Sequence, residues 1–172
     1  YVFVTTDSKD EVKEYLFEHN NTAPSEEAVD VVLSAPADLV RTEVLICPSA
    51  SCGESVTIDW TVENQGPGET YETIWKDALY LSGNRVFNAQ DAVLLASVSK
   101  NGPLQPGESY TKQTTVSVPR DIAGNFYVFL ITDSESQVFE HTSEENNILA
   151  TDSTMGVTAP DLEPFELVLP TN

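Results

Sequence analysis

The chain has 172 residues, 40% of them apolar, with 8 basic against 28 acidic residues for a net charge of −20. No Lys/Arg cluster exists to neutralise phosphates, so nucleic acid is set aside as a partner, and attachment to an anionic lipid surface fails for the same reason. No run approaches the about 18 consecutive apolar residues of a membrane helix, which argues against direct membrane insertion, and any signal peptide is expected upstream of the segment.

Taken in order, the chain first shows a repeat. Tyr1-Val-Phe-Val-Thr-Thr-Asp-Ser returns as Tyr127-Val-Phe-Leu-Ile-Thr-Asp-Ser, and the match runs ungapped from Tyr1–Asn21 to Tyr127–Asn147 with 11 of 21 positions identical. Both copies close on Glu-x-Asn-Asn: Glu18, Asn20, Asn21 and Glu144, Asn146, Asn147. A second match, Ala37-Asp38-Leu39 with Pro160-Asp161-Leu162, has a spacing of 123 instead of 126, as a three-residue indel would give. The expected organisation is therefore an array. Residues 1–33 are the C-terminal strands of a preceding repeat plus linker, 37–157 a complete β-sandwich repeat, and 158–172 the first strand of a following one. A helical face over Ser8, Glu11, Val12, Tyr15 and Leu16 has no twin at 134–144, so no helix is expected there. Thr22–Pro36 reads as a short polar linker. Asn20-Asn21-Thr22 is a glycosylation sequon, meaningful only where the source glycosylates secreted proteins.

Within 37–157, turn signals recur every 8–15 residues and the runs between them alternate, the pattern of an all-β sandwich. Asp38–Cys47 reads as the first strand. Cys47 and Cys52 flank a turn in Cys-Pro-Ser-Ala-Ser-Cys, and with no second pair to complete a zinc site they are expected to form a local disulfide, two free thiols being the alternative. Glu54–Glu63 follows, with Val56, Ile58, Trp60 and Val62 on one face and Ser55, Thr57, Asp59 and Thr61 on the other. Asn64-Gln-Gly-Pro-Gly turns the chain. Trp75–Ser82, Val93–Val98 and Tyr110–Val118 are the next strands. Phe126–Thr132 is apolar on both faces and is placed centrally. Val138–Glu140 and Ile148–Val157 are the returning strands.

Enzymatic constellations are missing from the sequence. His19 and His141 are the only histidines and neither stands in metal-ligand spacing. No G-x-S-x-G elbow occurs. The chemical candidate is the segment Asp133, Glu140, Glu144, Asn146 and Asn147, whose carboxylates and amides could supply the hard oxygen ligands of Ca2+. The upstream copy keeps the same types at Asp7, Glu14, Glu18, Asn20 and Asn21. The competing reading is that these residues cap turns and bond their own backbone. No cofactor is required by either reading. Trp60 is placed in the core by its alternation.

Trp60-Thr-Val-Glu-Asn-Gln-Gly-Pro-Gly, Trp75-Lys-Asp-Ala-Leu-Tyr-Leu-Ser, Asp91-Ala-Val-Leu-Leu, Pro106-Gly, Gly124-x-Phe-Tyr-Val, Thr132-Asp and Glu144-Glu-Asn-Asn together resemble the cell-adhesion-related domain found in bacteria (CARDB) across 37–157. That resemblance implies an immunoglobulin-like or fibronectin-III-like antiparallel β-sandwich, with no catalytic residues, repeated in large secreted or cell-surface proteins. It also places Trp75 in the core. Asp77, two residues from Trp75 on the same strand face, is expected from that position to hold a neighbouring loop by backbone hydrogen bonds. The Cys47/Cys52 pair departs from the family pattern. The expected function is an extracellular adhesion or spacer module whose partners are neighbouring repeats, other copies of the protein, or a surface or matrix ligand. The alternative is a carbohydrate-binding accessory module of a secreted enzyme, for which Tyr71, Tyr80 and Phe87 are the candidate aromatics.

Overall fold

A computed structural model describes residues 1–161 and divides into two compact units, Tyr1–Ser34 and the chain from Ala35 onward. The first unit is a single two-stranded antiparallel sheet of β1 (Phe3–Thr5) and β2 (Thr22–Pro24), joined by an irregular loop without helix.

The second unit contains β3 (Leu39–Leu45), β4 (Ser49–Ser51), β5 (Ser55–Asn64), β6 (Ile74–Ser82), β7 (Val93–Asn101), β8 (Ser109–Ser117), β9 (Gly124–Ile131), β10 (Ile148–Ala150) and β11 (Met155–Thr158). A 3-10 turn, Glu144–Asn147, precedes β10. One sheet is β3–β5–β8, the other β4–β11–β9–β6–β7 with β10 also on β9. All pairings are antiparallel except β4 with β11. This is the all-β, immunoglobulin-like sandwich that alternating strands with one apolar face must form to bury that face.

β5 shows why. Val56, Ile58, Trp60 and Val62 point inward and are buried, while Thr57 and Thr61 meet Thr115 and Thr111 of β8 and Asp59 meets Gln113 on the outer face. The buried row packs against Trp75, Leu79 and Leu81 of β6 and Val128 and Leu130 of β9 in one continuous core. β9 is central, flanked by β6 and by β10 and β11, and Phe87 covers its outer face by packing on Phe129 at 5.3 Å between ring centroids. Burying a side chain of this size is worth about 3–5 kcal/mol against alanine.

Asn64 ends β5 on the buried side, where a polar group must be satisfied. Its Oδ1 accepts the N–H groups of Asp38 (3.0 Å) and Gly66 (3.1 Å), and its Nδ2 donates to the carbonyls of Gly68 (2.8 Å) and Leu104 (3.0 Å). The same turn needs its glycines because the Ala35–Asp38 backbone crosses it. A Cβ on Gly68 would stand 1.8 Å from the Ala35 carbonyl oxygen.

Several details differ from the expectations. Val138–Glu140 is not a strand, because its backbone is held by side chains, as described below. Ile148–Val157 is two strands, broken at Thr151–Thr154 where the chain crosses from pairing with one end of β9 to the other. β4 was not anticipated, since three small residues carry no pattern to read. The expected first strand of a following repeat lies, from residue 162 on, outside the described residues.

Candidate functional site

The five candidate ligands lie in the loop that leaves β9. Asp133 enters it with φ of 44°, a left-handed conformation that costs a non-glycine residue about 1 kcal/mol or more. Its carboxylate holds that conformation, accepting the N–H of Gln137 at 2.9 Å and of Val138 at 2.7 Å. The bend drives Val138 into the core, where it is 1% exposed. Two residues on, the buried Glu140 accepts the N–H of Leu39 at the start of β3 and the Asn147 amide at 2.6 Å. Glu144 caps the Glu140 N–H at 3.1 Å, and Asn146 donates to Asp38 at 2.9 Å.

Burial raises the pKa of both inner carboxylates. For Asp133 the two backbone N–H groups work against the rise. For Glu140 the opposing bonds from Asn147 and Leu39 are weaker than the desolvation, and its carboxyl is pushed up to about 7. The structure thus gathers Asp133, Glu140, Glu144, Asn146 and Asn147 into one loop but turns them to different partners. Among the described residues no three His, Cys, Asp or Glu side chains converge as metal ligands. What the loop does is tie β3 to the end of β9.

A second polar cluster joins the two sheets. Asp77 on β6 is 1% exposed and accepts Trp60 Nε1 of β5 at 2.7 Å, the Tyr110 hydroxyl of β8 at 2.8 Å and the Thr132 hydroxyl at 2.9 Å. Burial raises its pKa, opposed by those same bonds and by one from the Asp133 backbone. The partners are therefore chiefly side chains of other strands, where loop backbone was expected. Trp75, also buried, donates to the Tyr110 hydroxyl at 3.2 Å, and Lys100 Nζ sits 4.9 Å above its ring. No local pattern marks Asn64, Tyr110 or Thr132 as members of these networks.

Cys47 and Cys52 are free thiols, half-buried against the core, and the expected bridge between them is not formed. Ser49–Ser51 between them is extended and paired with β11. Of the candidate aromatics only Tyr71 is well exposed; Tyr80 and Phe87 are half-buried and meet edge to face at 5.1 Å.

The first unit repeats the backbone-capping bonds of this loop. Thr6 donates to the Asn21 carbonyl at 2.9 Å, as Thr132 does to that of Asn147 at 3.0 Å. Asp7 accepts the N–H groups of Glu11 and Val12 at 2.8 and 2.9 Å, and Glu18 accepts that of Glu14 at 2.7 Å. Asp7, Asp10 and Tyr15 are left-handed at 43°, 54° and 57°; Asp133, Ser136 and His141 are so at 44°, 50° and 58°. Phe3 faces Pro24 in register as Phe129 faces Ala150.

The sequence pattern of the CARDB family matches residues 36–151, the greater part of the chain and nearly all of the sandwich. The chain belongs to the CARDB family. Its fold is similar to the crystal structure of a CARDB domain from Pyrococcus furiosus solved in complex with di-metal ions. The TM-score is 0.53 at 17% identity, over 76% of this chain and 100% of that one. A solution structure of the same Pyrococcus domain gives 0.51 at 18% identity, over 72% of this chain and 97% of that one. A β-glucosidase from Erythrobacter marinus gives 0.45 at 14% identity, over 69% of this chain and 15% of the enzyme. No curated protein matches the sequence. Within the CARDB sandwich, Trp60, Trp75 and Asp77 hold the sheets together and the Asp133–Asn147 loop ties the first strand in.

Proposed function

We propose that this CARDB chain is a non-catalytic repeat of a large extracellular, secreted or cell-surface protein, acting as an adhesion or spacer module. Residues 1–33 are then the closing strands of one repeat and 37–157 the next. The observation that carries this reading is the recurrence of one hydrogen-bonded loop, with one register, at a spacing of 126 residues. A solitary domain has no use for a second copy of its last two strands. The net charge of −20 is consistent with a solvated surface in a salty medium.

The carbohydrate-binding alternative needs aromatic faces open to a sugar, and Tyr80 and Phe87 turn theirs to each other. A glycan array probed with the chain is therefore expected to be blank. Protease shaving of intact source cells, followed by detection with an antibody to this chain, tests the main reading. Released fragments should step by one repeat of 123–126 residues. A single unrepeated species, or signal only after cell lysis, overturns it.

A further inference from the structure

Between the Asp133–Asn147 loop and the turn that carries Phe87 lies a cleft of about 290 Å³. Its apolar wall holds Tyr80, Phe87 and Ile148, and its polar wall Asp133, Glu144 and Asn147. Among the described residues no Lys, Arg or His lines it. Burial is the first cause of the raised Asp133 pKa, and the negative charges of Glu144 and Asp77 add to it. Lys76, whose carbonyl the loop binds through Ser134, has its Nζ on Glu135 at 2.6 Å and does not compensate them. Two acceptors are left over. Glu144 Oε1 caps the Glu140 N–H, while its Oε2 accepts no hydrogen bond from the described residues. Asn147 is 5% exposed and turns its Nδ2 away from the cleft, to Glu140 at 2.6 Å, leaving Oδ1 buried without a partner. A buried acceptor without a donor is unfavourable, and a ligand N–H that reaches it removes the penalty.

We propose that this cleft binds a primary ammonium group on an alkyl stem. A lysine side chain of a partner protein is the source that suits an adhesion module; that source rests on the reading above, the cleft itself does not. An ammonium group brings three N–H donors and no acceptor, which matches a pocket offering Glu144 Oε2 and Asn147 Oδ1. Its methylenes lie along Tyr80, Phe87 and Ile148, as a lysine stem lies on apolar surface while its head stays polar. A sugar hydroxyl brings only a neutral donor to two carboxylates that have no cation. A metal ion is disfavoured because both Asp133 oxygens already accept N–H groups, from Gln137 and Val138. The net charge of −20 draws cations towards the chain from a distance.

The test uses the 172-residue chain, isotope-labelled for amide NMR and kept in chelator. It is titrated with n-butylammonium, with lysine blocked at both backbone ends, and with norleucine blocked in the same way as the uncharged control. Saturable shifts are expected from the amines at Tyr80, Phe87 and residues 132–148, with the norleucine derivative binding about tenfold more weakly or worse. Glu144→Gln keeps an acceptor for the Glu140 N–H but loses the charge, and should weaken the amines about tenfold. Ala89→Trp, at an exposed position of the rim, should block them while leaving the amide spectrum of the core in place. Blocked lysine binding as well as butylammonium assigns a protein lysine as the source, and binding of butylammonium alone assigns a free amine. The proposal is overturned by no saturable shift, by shifts elsewhere, by equal binding of norleucine, or by undiminished binding to either variant. The shaving experiment decides the array reading separately, so failed titrations beside a repeating ladder remove the cleft alone.

Discussion

Replacing Glu140 with glutamine isolates a carboxylate that the fold holds in the wrong charge state at neutral pH. The folded chain binds its proton up to about pH 7, whereas an unfolded glutamate lets it go near 4.5. Because the folded value is the higher one, the folded chain holds more protons between the two. The stability Glu140 contributes is full below about 4.5 and is lost as pH rises through about 7. Each tenfold change in proton affinity is about 1.4 kcal/mol, so the full effect is about 3 kcal/mol and, with some water at the carboxylate, about 2. Glutamine keeps an acceptor for Leu39, and Asn147 can rotate to meet the new N–H, since its Oδ1 is buried without a partner. Urea unfolding from about pH 4 to about pH 8 reads the outcome. Wild type and Glu140→Gln should be equal at the acid end, with the variant about 2 kcal/mol more stable at the basic end. Parallel curves would refute the buried, proton-holding role, and so would a variant less stable than wild type at the basic end.

Asp77→Ala leaves the Trp60 N–H and the Thr132 hydroxyl buried without their acceptor, and should cost about 3 kcal/mol in chemical unfolding. A loss under about 1 kcal/mol would show that water replaces the carboxylate freely. Gly68→Ala forces its Cβ into the Ala35 carbonyl, and should lower stability by about 2 kcal/mol with faster amide exchange at Asp38 and Gly66; an unchanged melting curve would refute the close crossing. Millimolar calcium should leave the melting temperature at its value in chelator, because the Asp133 and Glu140 carboxylates and one oxygen of Glu144 already accept N–H groups within the fold. A rise of several degrees that is lost in Asp133→Asn would return this loop to the metal reading.

Some of this molecule is written locally and some is not. The alternation from Val56 to Val62 was legible because a strand with one buried face has period two, and the central place of Phe126–Thr132 because a strand buried on both faces has none. Val138–Glu140 was misread because its apolar residue is carried into the core by two N–H bonds to Asp133, which mimic a strand's reach without its pairing. The distant partners of Asn64 and Asp77 were hidden for another reason. Leu104 and Thr132 stand 40 and 55 residues away, so no short window of sequence contains both halves of those bonds. The Cys47/Cys52 pair suggests a bridge by proximity in sequence, and the pairing of Ser49–Ser51 with a strand over a hundred residues later is a contact that no local pattern shows.

The two copies of the loop separate these contributions within one chain. Asp7 and Asp133 hold the same left-handed bend and accept the same two N–H groups, although Val12 is 59% exposed and Val138 1%. The bend therefore does not depend on the core beneath it: the carboxylate sets it, and burial follows where a sandwich is there to receive the valine. The same holds for Glu18 and Glu144, each capping the glutamate N–H four residues earlier. A repeated set of Asp, Glu and Asn would look like a repeated ligand site if only side-chain chemistry were compared. That the bonds recur with the residues, in the exposed copy and the buried one alike, assigns the repetition to backbone geometry. Glu14 and Glu140 mark where local encoding stops, for the Leu39 N–H that Glu140 accepts belongs to another strand, and Glu14 leaves one buried oxygen without a partner.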